Sequence, residues 1–271
     1  MPTCCVTEPA TKSEAEAEAE ANAKPAAATV APAAMIGLRR GLMRGLKWSG
    51  IGIASFVLLS LMVIGLLRWL DPPTSAFMLR QSLSGRFDAR PPPYVYHEWV
   101  PWQDIPQSVA LAAVAAEDQR FPDHAGFDLV EMRKAWRGFR DGKRLRGAST
   151  ISQQTAKNLF LWPGRDWLRK GLEAWFTLLL ESLWSKQRIL EVYLNIAQFS
   201  PDTYGVGAAS WRYFERPAVA LDAQQAALLA AVLPNPEIYR LEAPSPRVQR
   251  RASWIRQQMR QLGGNGYLDN L

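Results

Sequence analysis

From Trp48 to Leu67 the chain runs twenty residues without a charge, bracketed by Lys47 and Arg68. At 1.5 Å per residue a helix of that length spans about 30 Å, the thickness of a bilayer's hydrocarbon core. Helices inside globular cores are seldom apolar on every side over such a length. A cleaved signal peptide has an apolar centre of about 7–15 residues close to the chain start. This segment is longer, lies behind a long tail and lacks a clear small-x-small exit, so it reads as an uncleaved anchor. Arg39, Arg40, Arg44 and Lys47 precede it and few cations follow closely. The positive-inside rule therefore places the N-terminus in the cytoplasm and residues 70–271 outside.

The anchor divides the rest. Residues 1–37 are mostly Ala, Glu, Pro, Lys and Thr, the composition of a disordered tail, with a short helical tendency around Glu14–Ala23. Residues 38–70 are the basic flank and anchor. Residues 71–93 read as a linker, in which Phe77, Met78 and Leu79 suggest an amphipathic turn lying on the bilayer. Residues 94–271 remain for one folded domain of about 180 residues, enough for a single core.

The net charge of +7 is uneven: −3 over residues 1–37, +4 over 38–47 and +6 over the remainder. A basic domain suits an anionic partner, and phosphate-bearing lipid and nucleic acid both qualify by sign. Nucleic acid is the weaker account. The basic groups are scattered, no zinc-finger or RNA-recognition motif is present, and the anchor places the domain on the wrong side. The only cysteines, Cys4 and Cys5, lie in the tail and build no disulfide framework. Two His and two tail Cys make a poor zinc inventory.

Periodicity beyond residue 94 is mostly helical. Ile105, Val109, Ala112, Ala113 and Ala116 recur at helix spacing, and Pro122 ends that helix with Glu117 at or just past its last turn. Leu129–Phe139 reads as a helix with Met132, Trp136 and Phe139 on one side. Ser149 or Thr150 caps a helix reaching about Phe160. Trp167–Trp184 is the strongest, with a stripe of Leu168, Leu172, Trp175, Leu179 and Leu183. Lys186–Ala197 follows a break near Ser185, 201–207 reads as a loop, and 208–214 as a helix. Asp222 with Gln225 resembles a capping box for Ala223–Leu233. Arg247–Leu262 is a final helix with Trp254, Ile255 and Met259 inward and five arginines along it. No run of alternating strands and no Rossmann or phosphate-loop glycine pattern is present.

Three polar knots carry the chemistry. Glu117–Asp128 reads EDQRFPDHAGFD. A carboxylate beside apolar packing can have its pKa raised and act as a general base; the plainer reading of Glu117 is a helix-end acid facing water. His124, in a loop bounded by Pro and Gly, reads as a structural histidine bonded to backbone. Gly147–Asn158 reads GASTISQQTAKN. There Gln153 and Lys157 share one helix face and Gln154 and Asn158 another. That start suits sugar hydroxyls or phosphate oxygens, or is simply solvated. Arg169 and Lys170 lie four and three residues before Glu173. They form either a surface salt bridge or a cationic clamp for a phosphorylated leaving group. Two separated glutamates with cations suit glycosyl chemistry.

At these knots the chain closely resembles the monofunctional biosynthetic peptidoglycan glycosyltransferases, whose domain is shared with bifunctional penicillin-binding proteins. Glu117, Asp118, Phe121, His124, Gly126 and Asp128 fill the first motif, EDxxFxxHxGxD. Gly147, Ser149, Thr150, Gln153, Gln154, Lys157 and Asn158 fill the second, GxSTxxQQxxKN. Arg169, Lys170 and Glu173 fill the third, RKxxE. Lys186, Ile189, Leu190, Glu191, Tyr193, Leu194 and Asn195 fill a fourth. Gly205, Gly207, Ala208, Ala209, Tyr213 and Phe214 match a looser fifth. The match covers roughly residues 95–245.

The resemblance implies a mainly α, lysozyme-like, two-lobed helical domain behind a single transmembrane helix, with a membrane-facing lobe. It implies lipid II and undecaprenyl-diphosphate-linked glycan as substrates at the bacterial inner membrane, with the catalytic domain periplasmic. Glu117 would be the general base that deprotonates the acceptor 4-hydroxyl, which attacks the donor's anomeric carbon with inversion to form a β-1,4 link. Lys157, Arg169 and Lys170 would neutralise the leaving diphosphate, and Glu173 would sit beside it as the second catalytic glutamate. Asp118, His124, Ser149, Thr150, Gln153, Gln154 and Asn158 would line the substrate site. No tightly bound cofactor is implied. Mg or Mn serves some members, with Asp118 as its contact here. Other wall-synthesis and division proteins are implied as partners. The S-D-N and K-T-G marks of transpeptidases are absent. The rival readings are a wall-cleaving muramidase and a non-catalytic membrane scaffold.

Overall fold

The computed structural model describes residues 32–84, 94–142, 149–164, 166–269 and 271 (side chains of 32–42 and 265 apart). Most of the tail, residues 1–31, lies outside the described residues, as do 85–93 at the end of the expected linker and Gly147 of the second motif. Within them α1 runs Pro32–Leu67, so it begins inside the segment expected as tail. Its Met43–Leu67 portion is 25 residues long and apolar enough to cross a membrane. The chain divides at Phe56/Val57 into two compact units, and the larger, from Val57 on, holds the folded domain.

In that larger unit the last turns of α1 are held by side chains of the domain. Trp184 Nε1 donates to the Ile64 carbonyl at 2.8 Å and Trp175 Nε1 to Ser60 Oγ at 3.3 Å. Arg188 donates to the Leu67 carbonyl at 3.1 Å and the Leu70 carbonyl at 2.8 Å. A helix C-terminus leaves carbonyls without intrahelical partners, and a guanidinium fork satisfies them while meeting the negative end of the dipole.

The expected linker is partly structured. Ser75 accepts from Met78 N at 3.2 Å and opens α2, Ala76–Ser84. Met78 is buried and α2 rests on the helix Ile151–Phe160. Met78 therefore meets protein, while Leu79 of the same turn is 50% exposed.

α3, Gln107–Glu117, is buried on every side from Val109 to Ala115. Small alanines let neighbouring helices approach closely, and α3 packs on α9, Ala223–Val232, and α10, Pro246–Gln261. α4 is Leu129–Arg140, α5 is Ile151–Phe160, α6 is Trp167–Leu183 and α7 is Lys186–Ile196. α5 packs on both α6 and α7, and α7 also meets α3. α8, Val206–Phe214, completes the set. The Asp222 capping box on α9 is present as expected.

Three readings change. The segment 201–207 is not simply loop. Strands β1 (Tyr96–His97), β2 (Gln198–Ser200) and β3 (Thr203–Tyr204) form a small sheet in the order β1-β3-β2, parallel between β1 and β3. Strands of two or three residues are too short for alternation to register. Gly205 then turns the chain into α8 at φ +80°, where a Cβ would lie 2.6 Å from the Asn195 carbonyl. Second, the α6 stripe begins in the wrong place: Leu168 is 70% exposed, while Arg169, Glu173 and Thr177 are buried. Third, Trp254 is 43% exposed, although Ile255 and Met259 are buried as expected.

Candidate active site

Glu117 is the last residue of α3, and Asp118 leaves the helix at φ −159°. The loop that follows is closed by its own motif residues. Asp118 is buried and accepts from His124 Nε2 at 2.9 Å and from the Ile151 backbone N–H at 3.0 Å. It therefore ties the loop to the start of α5, where the positive end of a helix favours a carboxylate. Gly126 turns at φ +82°, and a Cβ there would lie 2.7 Å from Thr177 Cγ2. Asp128 caps α4 by accepting from Val130 N and Glu131 N, and takes Arg120 at 3.1 Å. His124 acts as the structural histidine the loop suggested, although its partner is a carboxylate rather than backbone.

α5 opens on a full capping box between Thr150 and Gln153. Thr150 Oγ1 also donates to the Gly126 carbonyl at 2.6 Å. Both side chains are buried and committed to the scaffold, whereas Ser149 is exposed and Asn158 partly exposed. One turn on, Gln154 Nε2 donates to Glu117 Oε2 at 3.0 Å, and the buried Tyr193 hydroxyl donates to Gln154 Oε1 at 3.5 Å. Burial raises the pKa of Glu117, and the Gln154 amide, then the charges of Arg251 and Lys157, pull it part of the way back. A carboxylate in this balance is a stronger proton acceptor than one in water.

Lys157 links the two glutamates. Burial lowers its pKa, Glu173 opposes that, Arg169 and Lys170 add to it, and Glu117 opposes it again. Its ammonium therefore lies where the fields of both acids are felt, and it sits 5.6 Å from the centre of the Phe77 ring on α2. On α6, Asp166 caps the helix. Glu173 is buried and paired on both oxygens, with Arg169 Nη1 at 2.7 Å and with Lys170 Nζ. The surface-salt-bridge reading is thus wrong for Arg169, which is buried with Glu173; Lys170 keeps its side chain 46% exposed. Lys170 thus pairs with Glu173 while its side chain stays half exposed.

Several participants carried no sequence signal. Arg251, on α10, donates to Glu117 Oε1 at 3.2 Å; among five arginines on that helix nothing marked it. Glu181 takes Ser152 and Lys186, and Lys186 also donates to the His124 carbonyl. The fourth motif is largely scaffold. Glu191 accepts from Trp102 N at 2.9 Å, and Asn195 exchanges bonds with Val100 N and O at 2.7 and 2.8 Å.

Asp118, His124 and Asp128 bring one potential ligand atom each within 4.8 Å of one another. A hard cation wants free carboxylate oxygens. Here both oxygens of Asp118 accept from His124, one of them also from Ile151 N, and Asp128 accepts from Arg120 and two backbone N–H groups. Asp118 could join such a set only by giving up bonds that close the loop, whereas the Asp128 bonds all fall on Oδ1 and the buried His124 Nδ1 has no partner.

A transglycosylase family model matches residues 87–260. A biosynthetic peptidoglycan transglycosylase of Pseudomonas syringae pv. tomato is 49% identical over 232 residues, 86% of this chain and 95% of its own. One from Aeromonas hydrophila is 50% identical over 217 residues, 79% of this chain and 91% of its own. One from Cronobacter sakazakii is 51% identical over 235 residues, 85% and 93%. Matched by that family model over more than half of its length and about half identical to these relatives along most of theirs, the chain belongs to the transglycosylase family and is a peptidoglycan glycosyltransferase that polymerises cell-wall glycan.

Proposed function

We propose that the enzyme transfers the growing glycan from undecaprenyl diphosphate to the 4-hydroxyl of lipid II with inversion. Glu117 takes the proton as the acceptor oxygen attacks the anomeric carbon. The carbon–oxygen bond to the diphosphate breaks, and the leaving group departs with its electron pair. A diphosphate is stable as an anion, so its departure needs positive charge more than a proton. Lys157, Arg169 and Lys170 supply that charge, and Glu173 holds Arg169 and Lys170 in register.

The observation that carries this reading is the bond from Gln154 to Glu117, which sets that acid against α5, the helix that carries Lys157 and packs on α6 with its Arg169, Lys170 and Glu173. The site of proton removal and the site of leaving-group charge are thereby neighbours. The apolar face of α4 supports a lobe resting on the bilayer: Met132, Trp136 and Phe139 share one side and are 43–61% exposed. With the α1 anchor and the cations before it, this favours a cytoplasmic N-terminus and a periplasmic site at the inner membrane, where both lipid-borne substrates reside. These steps draw only on side chains of this chain. The test is incubation of the full chain with lipid II, with and without chelator. Polymer formation with chelator present supports the reading. Shortened or anhydro-ended glycans would replace it with a cleaving muramidase. Wild-type growth supported by Glu117→Gln in cells lacking the native enzyme would replace it with a scaffold.

A further inference from the structure

α10 stands far along the chain from the motifs, yet it reaches the base. Arg251 Nη2 contacts Glu117 Oε1 at 3.2 Å and the main-chain carbonyl of Ala116 at 3.4 Å. One nitrogen thus bridges the carboxylate to the backbone of its own helix end. The opposite oxygen, Oε2, is held by Gln154 from α5 at 3.0 Å. Arg251 can do this because α10 is locked down around it. Val248, Ala252, Ile255 and Met259 are all buried, and they bind the helix to α3 and α9. The other four arginines of the helix, Arg247, Arg250, Arg256 and Arg260, are exposed. Only Arg251 turns inward.

An ionised carboxylate offers about four lone-pair sites. Two contacts, one on each oxygen, fix its plane and leave sites open for a hydroxyl. Without them a glutamate side chain samples several rotamers. Proton abstraction needs a base within about 2.6–3.2 Å of its target, and about 1 Å of misplacement costs about 100-fold in rate.

We infer that Arg251 is a positioning residue for glycan transfer, holding the Glu117 carboxylate against the end of α3 so that its remaining lone pairs face the acceptor hydroxyl. This rests on Glu117 being the base. A lysine at this position would keep the charge as a point but lose the planar fork, so it would replace the arginine only in part.

The test uses the full chain in detergent with lipid II, measuring kcat and KM separately beside the thermal midpoint. Arg251→Met should lower kcat about 10- to 100-fold, with KM and midpoint close to native. Arg251→Lys should recover a substantial part, and added methylguanidinium should partly restore Arg251→Met. Arg250→Met, on the exposed side of the same helix, should behave as native. In a double-mutant cycle, Glu117→Gln with Arg251→Met should lose no more than Glu117→Gln alone, because the arginine acts only through the acid. A native kcat in Arg251→Met, or a loss lying wholly in KM, would overturn the inference. If Arg251→Met melts early, Arg251→Lys and the cycle decide: a further loss in the double variant overturns it. A fully active Glu117→Gln would instead remove the base reading, a different result from an inactive Glu117→Gln beside a normal Arg251→Met.

Discussion

Glu117, its side chain 14% exposed, and the buried Glu173 are the two acids of one site, yet their surroundings differ in kind. Glu117 is held by a neutral amide and a single guanidinium, and burial leaves its pKa raised. Glu173 is paired on each oxygen with a cation from its own helix. In the proposed mechanism one environment keeps a proton acceptor ready, and the other fixes the acid as a counter-ion that arranges positive charge. The lesson is that residue type and burial do not assign a role. The partners of each oxygen do.

The difference can be broken most forcefully at the base. Glu117→Gln should reduce polymerisation about 1,000-fold, within the range for loss of a general base, while lipid II binding survives. Native turnover by this variant would erase the contrast. Glu173→Gln should act elsewhere. Removing one partner of a buried ion pair costs about 3–5 kcal/mol, so this variant should lower the midpoint of thermal unfolding and raise KM, whereas Glu117→Gln lowers kcat. If both variants gave the same kinetic signature at the same stability, the two acids would be doing one job.

Lys170→Ala should weaken engagement of the diphosphate about 10-fold, consistent with about 1.5 kcal/mol for a charge-assisted contact. The loss would be seen in kcat/KM, with the midpoint nearly unchanged because this side chain is half exposed. The pH profile sharpens the contrast further. Glu117 must be ionised to accept a proton, and burial raises its pKa from the ordinary 4.5. Turnover should therefore fall as pH drops through a value above 4.5, and an acidic limb at or below it would contradict the burial argument. The smallest effect concerns the scaffold. Thr150→Ala should cost about 1–2 kcal/mol in a chemical denaturation series, because its hydroxyl serves both the cap and the Gly126 carbonyl. Asp222→Ala removes an exposed cap on α9 and should cost less, about 0.5–1 kcal/mol.

Much of the fold was legible in the sequence. The apolar run predicted the long helix α1, and apolar spacing with Asp222 and Gln225 located most of the others. The errors have a common source. The stripe on α6 and the inward Trp254 were assigned from hydrophobicity, which says that a face is apolar but not whether protein or another medium meets it. The turn at Phe77–Leu79 shows the same limit: Met78 is buried where α2 rests on α5, while Leu79 next to it is exposed. In the motifs, residue type alone did not separate chemistry from scaffold. The structure divides them, with Thr150, Gln153, Asp128 and Asn195 bonded to backbone and Gln154 and Lys157 turned toward the acids.

The sequence by itself determined the family, a helix long and apolar enough to cross a membrane, the helical character and the acids and bases of the motifs, because local spacing and residue type are written in it directly. Only the tertiary structure decided that Glu117 meets Arg251 across 134 positions, that Lys157 lies in the field of two acids, and that Asp118 is a clasp rather than an open ligand. Those relations depend on how α3, α5, α6 and α10 pack. A charge acts through distance and dielectric, and neither can be read along a chain.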